Sequence, residues 1–133
     1  MIFKGYISSR RLLDGSLNQQ KVQNLVIRDA CNKRGYDYKL SFTEYGIKDC
    51  FLNYNEMLID IKKNKFDGIA FYSIAQLPKK KTDREKLYKI VKSKKKILFS
   101  LENFNNPYIA EFIKKLEKKY DVHIISSKKN NNL

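Results

Sequence analysis

The spacing of apolar residues changes repeatedly along the chain, and each change marks a new element. Residues 2–7 form a short apolar stretch of strand-forming residues, which ends at the polar run Ser8-Ser9-Arg10-Arg11. Between Asn18 and Arg34, apolar residues recur at three- and four-residue spacing, and Gly35 follows where a C-terminal cap belongs. We therefore predict a first strand and a first helix. The stripe that this helix is expected to bury consists of Val22, Leu25, Val26, Ala30 and Cys31.

The alternation of strands and helices continues through the middle of the chain. Tyr38 to Thr43 alternates between apolar and polar residues, which predicts a second strand, and Phe51 to Asn64 returns to helical spacing. Residues 69–74 form a nearly continuous apolar run, which is typical of a central parallel strand that is covered on both faces. A third helix is predicted from about Thr82 to Lys92, and a fourth strand from Ile97 to Leu101.

The last part of the chain is predicted to hold one more helix and one more strand. Pro107 stands at a position that is favoured in the first turn of a helix. The apolar stripe that follows it consists of Ile109, Phe112, Ile113, Leu116 and Tyr120. Val122 to Ile125 predicts a last strand, and residues 127–133 form a polar tail.

Strands that alternate with helices in this way predict an α/β fold. The connections are right-handed crossovers, so the sheet should be mainly parallel, with four to five strands, and lie between helices as a three-layer sandwich. A chain of 133 residues is long enough for one domain with a modest core. We expect residues 1–126 to form a single α/β domain, because no linker or internal repeat interrupts them.

Composition supports a soluble protein and limits its chemistry. No apolar run approaches the roughly 18 to 20 residues that a membrane span needs, and the first residues lack the apolar segment of a signal peptide. We therefore expect a cytoplasmic protein. Cys31 and Cys50 are not in a C-x-x-C pair, so both should be free thiols. We find no Gly-rich phosphate loop and no cluster of metal ligands, and we expect neither a metal nor a cofactor.

The net charge is +14, from 28 Lys and Arg against 14 Asp and Glu. Such a charge makes anionic partners attractive. Only Arg10, Arg11, Arg28, Arg34 and Arg84 are arginines, and the other basic residues are lysines. Because specific phosphate and base contacts favour arginine, we interpret most of the lysines as solvated surface, and a nucleic acid is a less favoured partner than a small anion.

The candidate site follows from the fold, because ligands of such sheets bind at the carboxyl ends of the strands. The residues that follow the predicted strands are Ser8, Ser9, Arg10 and Arg11, then Glu44 and Tyr45, then Tyr72, Ser73 and Gln76, and finally Glu102 and Asn103.

Each of these residue types suggests a role. Arg10 and Arg11 could hold a phosphate or carboxylate between them. Glu44 and Glu102 are candidates for a general acid and a general base. Ser9 is a candidate catalytic serine, and the other side chains would hydrogen-bond the hydroxyls of a ligand. Outside this set, Cys50 precedes a predicted helix whose dipole would favour a thiolate. Cys31 and His123 are more easily explained as packing residues.

The order of elements resembles the serine recombinase catalytic domain over residues 3–104. The likeness includes Tyr6, Ser16-Leu17-Asn18-Gln19-Gln20, Glu44 and the turn at Leu77. That family has a Y-x-R-x-S stretch with the nucleophilic serine, and a D-R-L-x-R stretch with arginines that stabilise the phosphoryl transition state. The matching segments here are Tyr6-Ile7-Ser8-Ser9-Arg10 and Ala75-Gln76-Leu77-Pro78-Lys79. The resemblance implies a resolvase-like fold.

The chain also resembles the sporadic carbohydrate cluster family, small proteins found among bacterial genes for surface polysaccharide synthesis. The matching residues are Gly5-Tyr6-Ile7-Ser8-Ser9-Arg10, Gln23-Asn24-Leu25-Val26-Ile27-Arg28-Asp29, Thr43-Glu44-Tyr45, Cys50, Tyr72-Ser73, Gln76-Leu77-Pro78 and Leu101-Glu102-Asn103. This resemblance implies a role in carbohydrate biosynthesis, such as polysaccharide or O-antigen synthesis.

Two functional hypotheses follow. The first is a protein of surface carbohydrate biosynthesis, either an enzyme or a binding protein, that binds an anionic sugar or nucleotide-sugar at the carboxyl edge of its sheet. The second is a catalytically inactive resolvase-like module that binds DNA or regulates a partner. Either protein could form a homo-oligomer, and the sequence locates no interface. Strong binding of random duplex DNA with a steep dependence on salt would favour the second hypothesis.

Overall fold

The computed structural model describes residues 1–13, 15–44, 46, 50–92, 96–102, 104–105 and 118. Its strands are β1 (Ile2–Ser8), β2 (Asp37–Glu44), β3 (Gly68–Phe71), β4 (Lys96–Phe99) and β5 (Phe104–Asn105). Its helices are α1 (Gln20–Lys33), α2 (Leu52–Lys62) and α3 (Lys81–Lys92), with a short 3₁₀ helix at Ile74–Gln76. In the described part of the chain, no helix is long and apolar enough to cross a membrane.

The strands form one sheet in the order β2-β1-β3-β4-β5. β1 to β4 are parallel, and β5 pairs with β4 in the antiparallel direction. The chain moves one way from β1 to β2 and the other way from β2 to β3 and from β3 to β4. Because crossovers are right-handed, α1 lies on one face of the sheet, and α2 and α3 lie on the other. The predicted three-layer α/β sandwich is confirmed.

Each face of the sheet has its own apolar core. The core under α2 and α3 contains Tyr6, Tyr54, Met57, Leu58, Ile61, Phe66, Ile69, Phe71, Ile74, Leu77, Leu87, Ile90, Ile97 and Phe99. The core under α1 contains Phe3, Ile7, Leu12, Ile27, Ala30, Cys31, Ala70, Tyr72, Ala75 and Leu98. Neighbouring residues of β3 and β4 alternate between the two cores, as the pleat of a strand requires.

Helix α1 buries a different stripe from the one that its apolar residues predict. Val22 and Leu25 are exposed, at 42% and 56%, whereas Gln23 is fully buried with Ile27. The prediction was wrong at these positions because it assigned the buried face by apolarity alone. Gln23 faces the sheet since its amide binds the backbone at the end of β1. The prediction that Cys31 lies in the core is confirmed, and both cysteines are free.

Strands β3 and β4 end earlier than their apolar runs predict. β3 stops at Phe71, and the Ser73 hydroxyl accepts a hydrogen bond from the Ala75 amide at 3.1 Å, which starts the 3₁₀ helix. The backbone therefore turns where residues 72–74 were expected to continue the strand. β4 stops at Phe99, and Leu101 is 52% exposed.

The sequence did not predict β5. Of the predicted helix after Pro107 the structure describes Lys118 alone, which is helical, and the strand Val122–Ile125, the tail 127–133 and His123 lie outside the described residues.

Candidate functional site at the carboxyl ends of the strands

The four residues that follow β1's apolar run differ greatly in exposure. Ser8 is fully buried, Arg10 is partly buried, and Ser9 and Arg11 are exposed. The Arg11 guanidinium donates to the carbonyl of Gly15 at 3.1 Å. Of the other predicted site residues, Glu44, Tyr72, Ser73 and Gln76 are buried and Glu102 is intermediate. Tyr45 and Asn103 lie outside the described residues.

Two buried glutamines connect the ends of β1 and β3. Gln23 donates from Nε2 to the Ser8 carbonyl at 2.6 Å and accepts from the Ser8 amide at 3.1 Å. Gln76 donates from Nε2 to Gln23 Oε1 at 2.8 Å, and its own Oε1 accepts from the Tyr72 amide at 2.9 Å. The Gln76 side chain, predicted to bind a ligand, is therefore committed to the protein's own backbone and to Gln23.

Ser8 has a second unusual property. Its hydroxyl oxygen is the one buried side-chain polar atom in the described part of the chain for which the structure gives no hydrogen-bond partner. Ser8 lies two residues after Tyr6 on the strand and pairs in register with Glu44. Because residues two apart share a face of a strand, the Ser8 hydroxyl lies on the side of α2.

Glu44, the last residue of β2, caps helix α2. Its carboxylate, on a side chain only 1% exposed, accepts from the amides of Asn53 at 3.0 Å and Tyr54 at 2.9 Å. It also accepts from the Tyr6 hydroxyl at 2.8 Å, and the Cys50 thiol lies 3.7 Å from its Oε1. These donors replace water around a buried carboxylate and satisfy amides that a helix N-terminus leaves unpaired.

Glu102 caps a different element. It accepts from the Ser73 hydroxyl at 3.0 Å and from the Ile74 amide at 2.7 Å, at the start of the 3₁₀ helix. Glu102 follows β4, and its carboxylate lies at the end of β3, whereas the Glu44 carboxylate contacts β1 and the start of α2. The structure therefore does not bring Glu44 and Glu102 together as an acid and base pair.

Arg10 joins β1 to two loops. Its guanidinium donates to the carbonyls of Gln76 at 3.2 Å and Cys50 at 3.5 Å. Its central carbon lies 4.1 Å from the centroid of the Phe51 ring and 5.6 Å from that of Tyr6. At these distances a guanidinium is attracted to the face of an aromatic ring. Arg10 thus stabilises the arrangement of loops at this edge of the sheet.

The two buried tyrosines next to Glu44 stay protonated. Burial raises the pKa of Tyr6 far above its ordinary value; Arg10 opposes this shift and the Glu44 charge adds to it. Burial likewise raises the pKa of Tyr54, and Asp83 adds to the shift. Both phenols therefore act as hydrogen-bond donors near neutral pH. Tyr6 donates to Glu44, and Tyr54 donates to the Asp83 carbonyl at 3.1 Å.

Exposed basic side chains lie at this edge of the sheet. Lys79, Lys80 and Lys81 are exposed in the segment that follows the 3₁₀ helix. Sequence reasoning did not select these lysines, although three in a row after Pro78 were a visible signal. Among the described residues, no group of three His, Cys, Asp or Glu side chains could hold a metal ion.

Ser9 is exposed and lies close to Gly46, which follows β2. A Cβ atom at Gly46 would lie 2.5 Å from the Ser9 hydroxyl oxygen, so a larger residue at this position would require the Ser9 side chain to move. Ser9, the candidate catalytic serine, is therefore exposed and has the backbone of Gly46 close to it.

Two solved structures are similar to this chain over almost its whole length. The N-terminal catalytic domain of TP901-1 integrase has a TM-score of 0.62 and 17% identity, with 90% of this chain and 95% of that chain covered. A resolvase family site-specific recombinase from Streptococcus pneumoniae has a TM-score of 0.63 and 11% identity, with 97% and 95% covered. At such identities, the likeness establishes the fold, and the predicted resolvase-like fold is confirmed. No protein-family profile and no curated protein sequence matches the chain.

These comparisons support one of the two resemblances seen in the sequence and give no support to the other. The likeness to serine recombinase catalytic domains is confirmed at the level of the fold. The likeness to the sporadic carbohydrate cluster family receives no support, and the anionic sugar partner stays a prediction.

Proposed function

We propose that this chain is a resolvase-fold module that binds duplex DNA and does not exchange its strands. The solved structures support the resolvase fold, the exposed positive charge supports DNA binding, and the residues at the end of β1 support the absence of strand exchange. The proposal corresponds to the second of the two hypotheses formed from the sequence.

The observation that carries the proposal is an exchange of serine and arginine at the end of β1. In the Y-x-R-x-S stretch that the chain resembles, Ser8 occupies the arginine position and Arg10 occupies that of the nucleophile. Ser8 is buried, and the Arg10 guanidinium is engaged by two backbone carbonyls. A guanidinium has donors but no acceptor, so it cannot attack a phosphorus atom.

The second catalytic stretch also departs from the pattern it resembles. Ala75 and Gln76 are each 1% exposed, and the Gln76 amide is committed to Gln23 and Tyr72. Lys79 is exposed, but its ammonium is a single point charge without the planar fork of an arginine. Both observations argue against the charged clamp that a phosphoryl transition state needs.

The binding half of the proposal rests on charge and its location. The net charge is +14, and Arg11 and three consecutive lysines are exposed at the carboxyl edge. Lysines that contact phosphates give sequence-independent affinity for duplex DNA and release bound counterions.

Absence of strand exchange can be tested with a covalent-adduct assay. The protein is incubated with a pool of random-sequence duplexes, and the products are separated on a denaturing gel. We expect no adduct between protein and DNA. An adduct that forms with the natural protein and disappears in Ser9→Ala would contradict the proposal, because it would make Ser9 a working nucleophile.

DNA binding is tested by fluorescence anisotropy with a labelled random duplex, titrated from about 50 to about 200 mM salt. We expect binding that weakens steeply as salt rises. A thermal-shift measurement with nucleotide-sugars and sugar acids tests the carbohydrate hypothesis, because a ligand that binds the folded protein raises its melting temperature. Weak, salt-independent DNA binding together with stabilisation by one of these sugars would overturn the proposal and favour the carbohydrate hypothesis.

A further inference from the structure

The segment Leu77–Lys81, which we name the lysine loop, is held in place by a buried arginine. Arg84 is only 2% exposed, and its Nη1 donates to the carbonyls of Pro78 at 3.0 Å and Lys79 at 2.6 Å. The amides of Asp83 and Arg84 both donate to the Lys80 carbonyl, which starts helix α3. The backbone of the loop is therefore fixed at three successive carbonyls.

The three lysine side chains of the lysine loop are exposed while the loop's backbone is fixed. Lys79, Lys80 and Lys81 are all exposed. Asp83 is the acidic residue in the first turn of α3, and it is paired with Lys86 at 3.6 Å. The three ammonium groups thus form a positive surface whose nearest described carboxylate along the chain already has a partner.

The described surface favours a duplex over a single strand. Single-stranded nucleic acids bind proteins largely by stacking their bases on exposed aromatic rings. Among the Phe and Tyr side chains whose burial the structure describes, none is largely exposed. The exposed lysines next to this described surface suit the phosphate backbone of a duplex.

We propose that the lysine loop is the surface that contacts the DNA backbone, and that Arg84 is a positioning residue that keeps the loop ordered for this contact. This inference rests on the proposed function, because it needs duplex DNA as the partner. Arg84 is itself buried and does not touch the DNA. An ordered loop binds more tightly because less conformational entropy is lost on binding.

The contact is tested with two matched double variants. Lys79→Gln/Lys80→Gln removes two charges from the lysine loop. Lys62→Gln/Lys63→Gln removes two exposed charges where α2 ends, at the opposite edge of the sheet. With a random duplex, the slope of log K against log salt should fall by about 1.8 for the first variant and stay unchanged for the second, since each lost contact changes the slope by about 0.9.

The role of Arg84 is tested with Arg84→Met and, in case that variant does not fold, Arg84→Lys. In limited trypsin digestion, cleavage after Lys79 and Lys80 should become several-fold faster, while cleavage after Lys62 and Lys63 keeps its rate. The affinity for the duplex should fall while the salt slope stays unchanged, because no phosphate contact is removed. Cleavage that accelerates equally at both pairs would show general destabilisation and overturn the positioning role.

The failures of the two proposals are distinguishable. If the natural protein does not bind duplex DNA, the proposed function is wrong. If it binds, but the two double variants have the same slope, or a single strand of equal charge binds more tightly than the duplex, the lysine loop is not the contact surface and the proposed function stands.

Discussion

Ser8 shows how a residue can be placed by the backbone while its own side chain is left without a partner. Its amide and carbonyl are bound by Gln23, which fixes the end of β1. Its hydroxyl is buried and unpartnered beside Glu44, whose carboxylate already accepts from other donors. A buried hydroxyl without a hydrogen bond costs free energy of folding, because it gives up its bonds to water.

We therefore predict that Ser8→Ala stabilises the protein by about 1 kcal/mol, because alanine has no hydroxyl that must give up its bonds to water on folding. Ser100→Ala should have the opposite effect and destabilise by about 1 kcal/mol, because the Ser100 hydroxyl donates to the Phe71 carbonyl at 2.8 Å. Urea unfolding of both variants provides the measurement. A Ser8→Ala variant that is destabilised as much as Ser100→Ala would mean that the Ser8 hydroxyl has a partner in solution, such as a buried water.

At the scale of elements, the two buried glutamines fasten α1 and the 3₁₀ helix to the sheet. We predict that Gln23→Leu and Gln76→Leu each destabilise the protein by about 1–3 kcal/mol, since each leaves buried polar groups unpaired. The double variant should cost less than the sum of the two, because the Gln23–Gln76 bond at 2.8 Å is lost only once.

Urea unfolding of the two single variants and the double variant measures this coupling. Gln19→Leu is a matched control, because Gln19 is exposed and its side chain makes no cap hydrogen bond. Strictly additive effects at Gln23 and Gln76 would contradict the coupling.

The sequence predicts elements well where apolar spacing alone decides them. It gives the order of the first four strands and three helices and places Cys31 in the core. It fails where polar contacts decide. Gln23 is buried in place of Val22 because of its bonds to Ser8, and no spacing rule contains that partner.

The candidate site shows the same division. The position of Glu44 and Glu102 at strand ends could be predicted, whereas their separation depends on the strand order, which places β2 and β4 on opposite sides of β1 and β3. That order is a property of the whole sheet, so residue types at strand ends cannot reveal which of them meet. Arg84 was missed for a related reason: a buried arginine that binds loop carbonyls looks, in sequence, like any other charged residue of a helix.

At the scale of the whole molecule, a shared fold does not require shared residues at the end of β1. Two recombinase structures with 17% and 11% identity share the fold. The apolar residues that maintain two cores can be exchanged as long as their volume and pattern are kept. Residues that carry out phosphoryl transfer have no such freedom. At the end of β1, Ser8 and Arg10 occupy each other's positions relative to the Y-x-R-x-S stretch that the chain resembles.

Both cores contain groups whose ionisation is opposed by burial, and this predicts how the whole molecule responds to alkali. Burial raises the pKa of Cys31, in the core under α1, from 9.0 to about 11, with Arg34 opposing the shift. Burial also raises the pKa values of Tyr6 and Tyr54, in the other core, above their ordinary 10.0. Above these ordinary values, the unfolded chain releases protons that the folded chain retains.

We therefore predict that the free energy of unfolding is constant up to about pH 8.5 and falls as the pH rises further, first through Cys31 and then through the two tyrosines. Urea unfolding from neutral to alkaline pH measures this fall, and tyrosinate absorbance should show Tyr6 and Tyr54 ionising only as the protein unfolds. Cys31→Ala should weaken the pH dependence just above pH 9 and leave the tyrosine part unchanged, whereas Cys50→Ala, at a partly exposed thiol, serves as the control. Early ionisation of all nine tyrosines in the folded protein would contradict the prediction, because it would mean that water reaches the phenols beside Glu44.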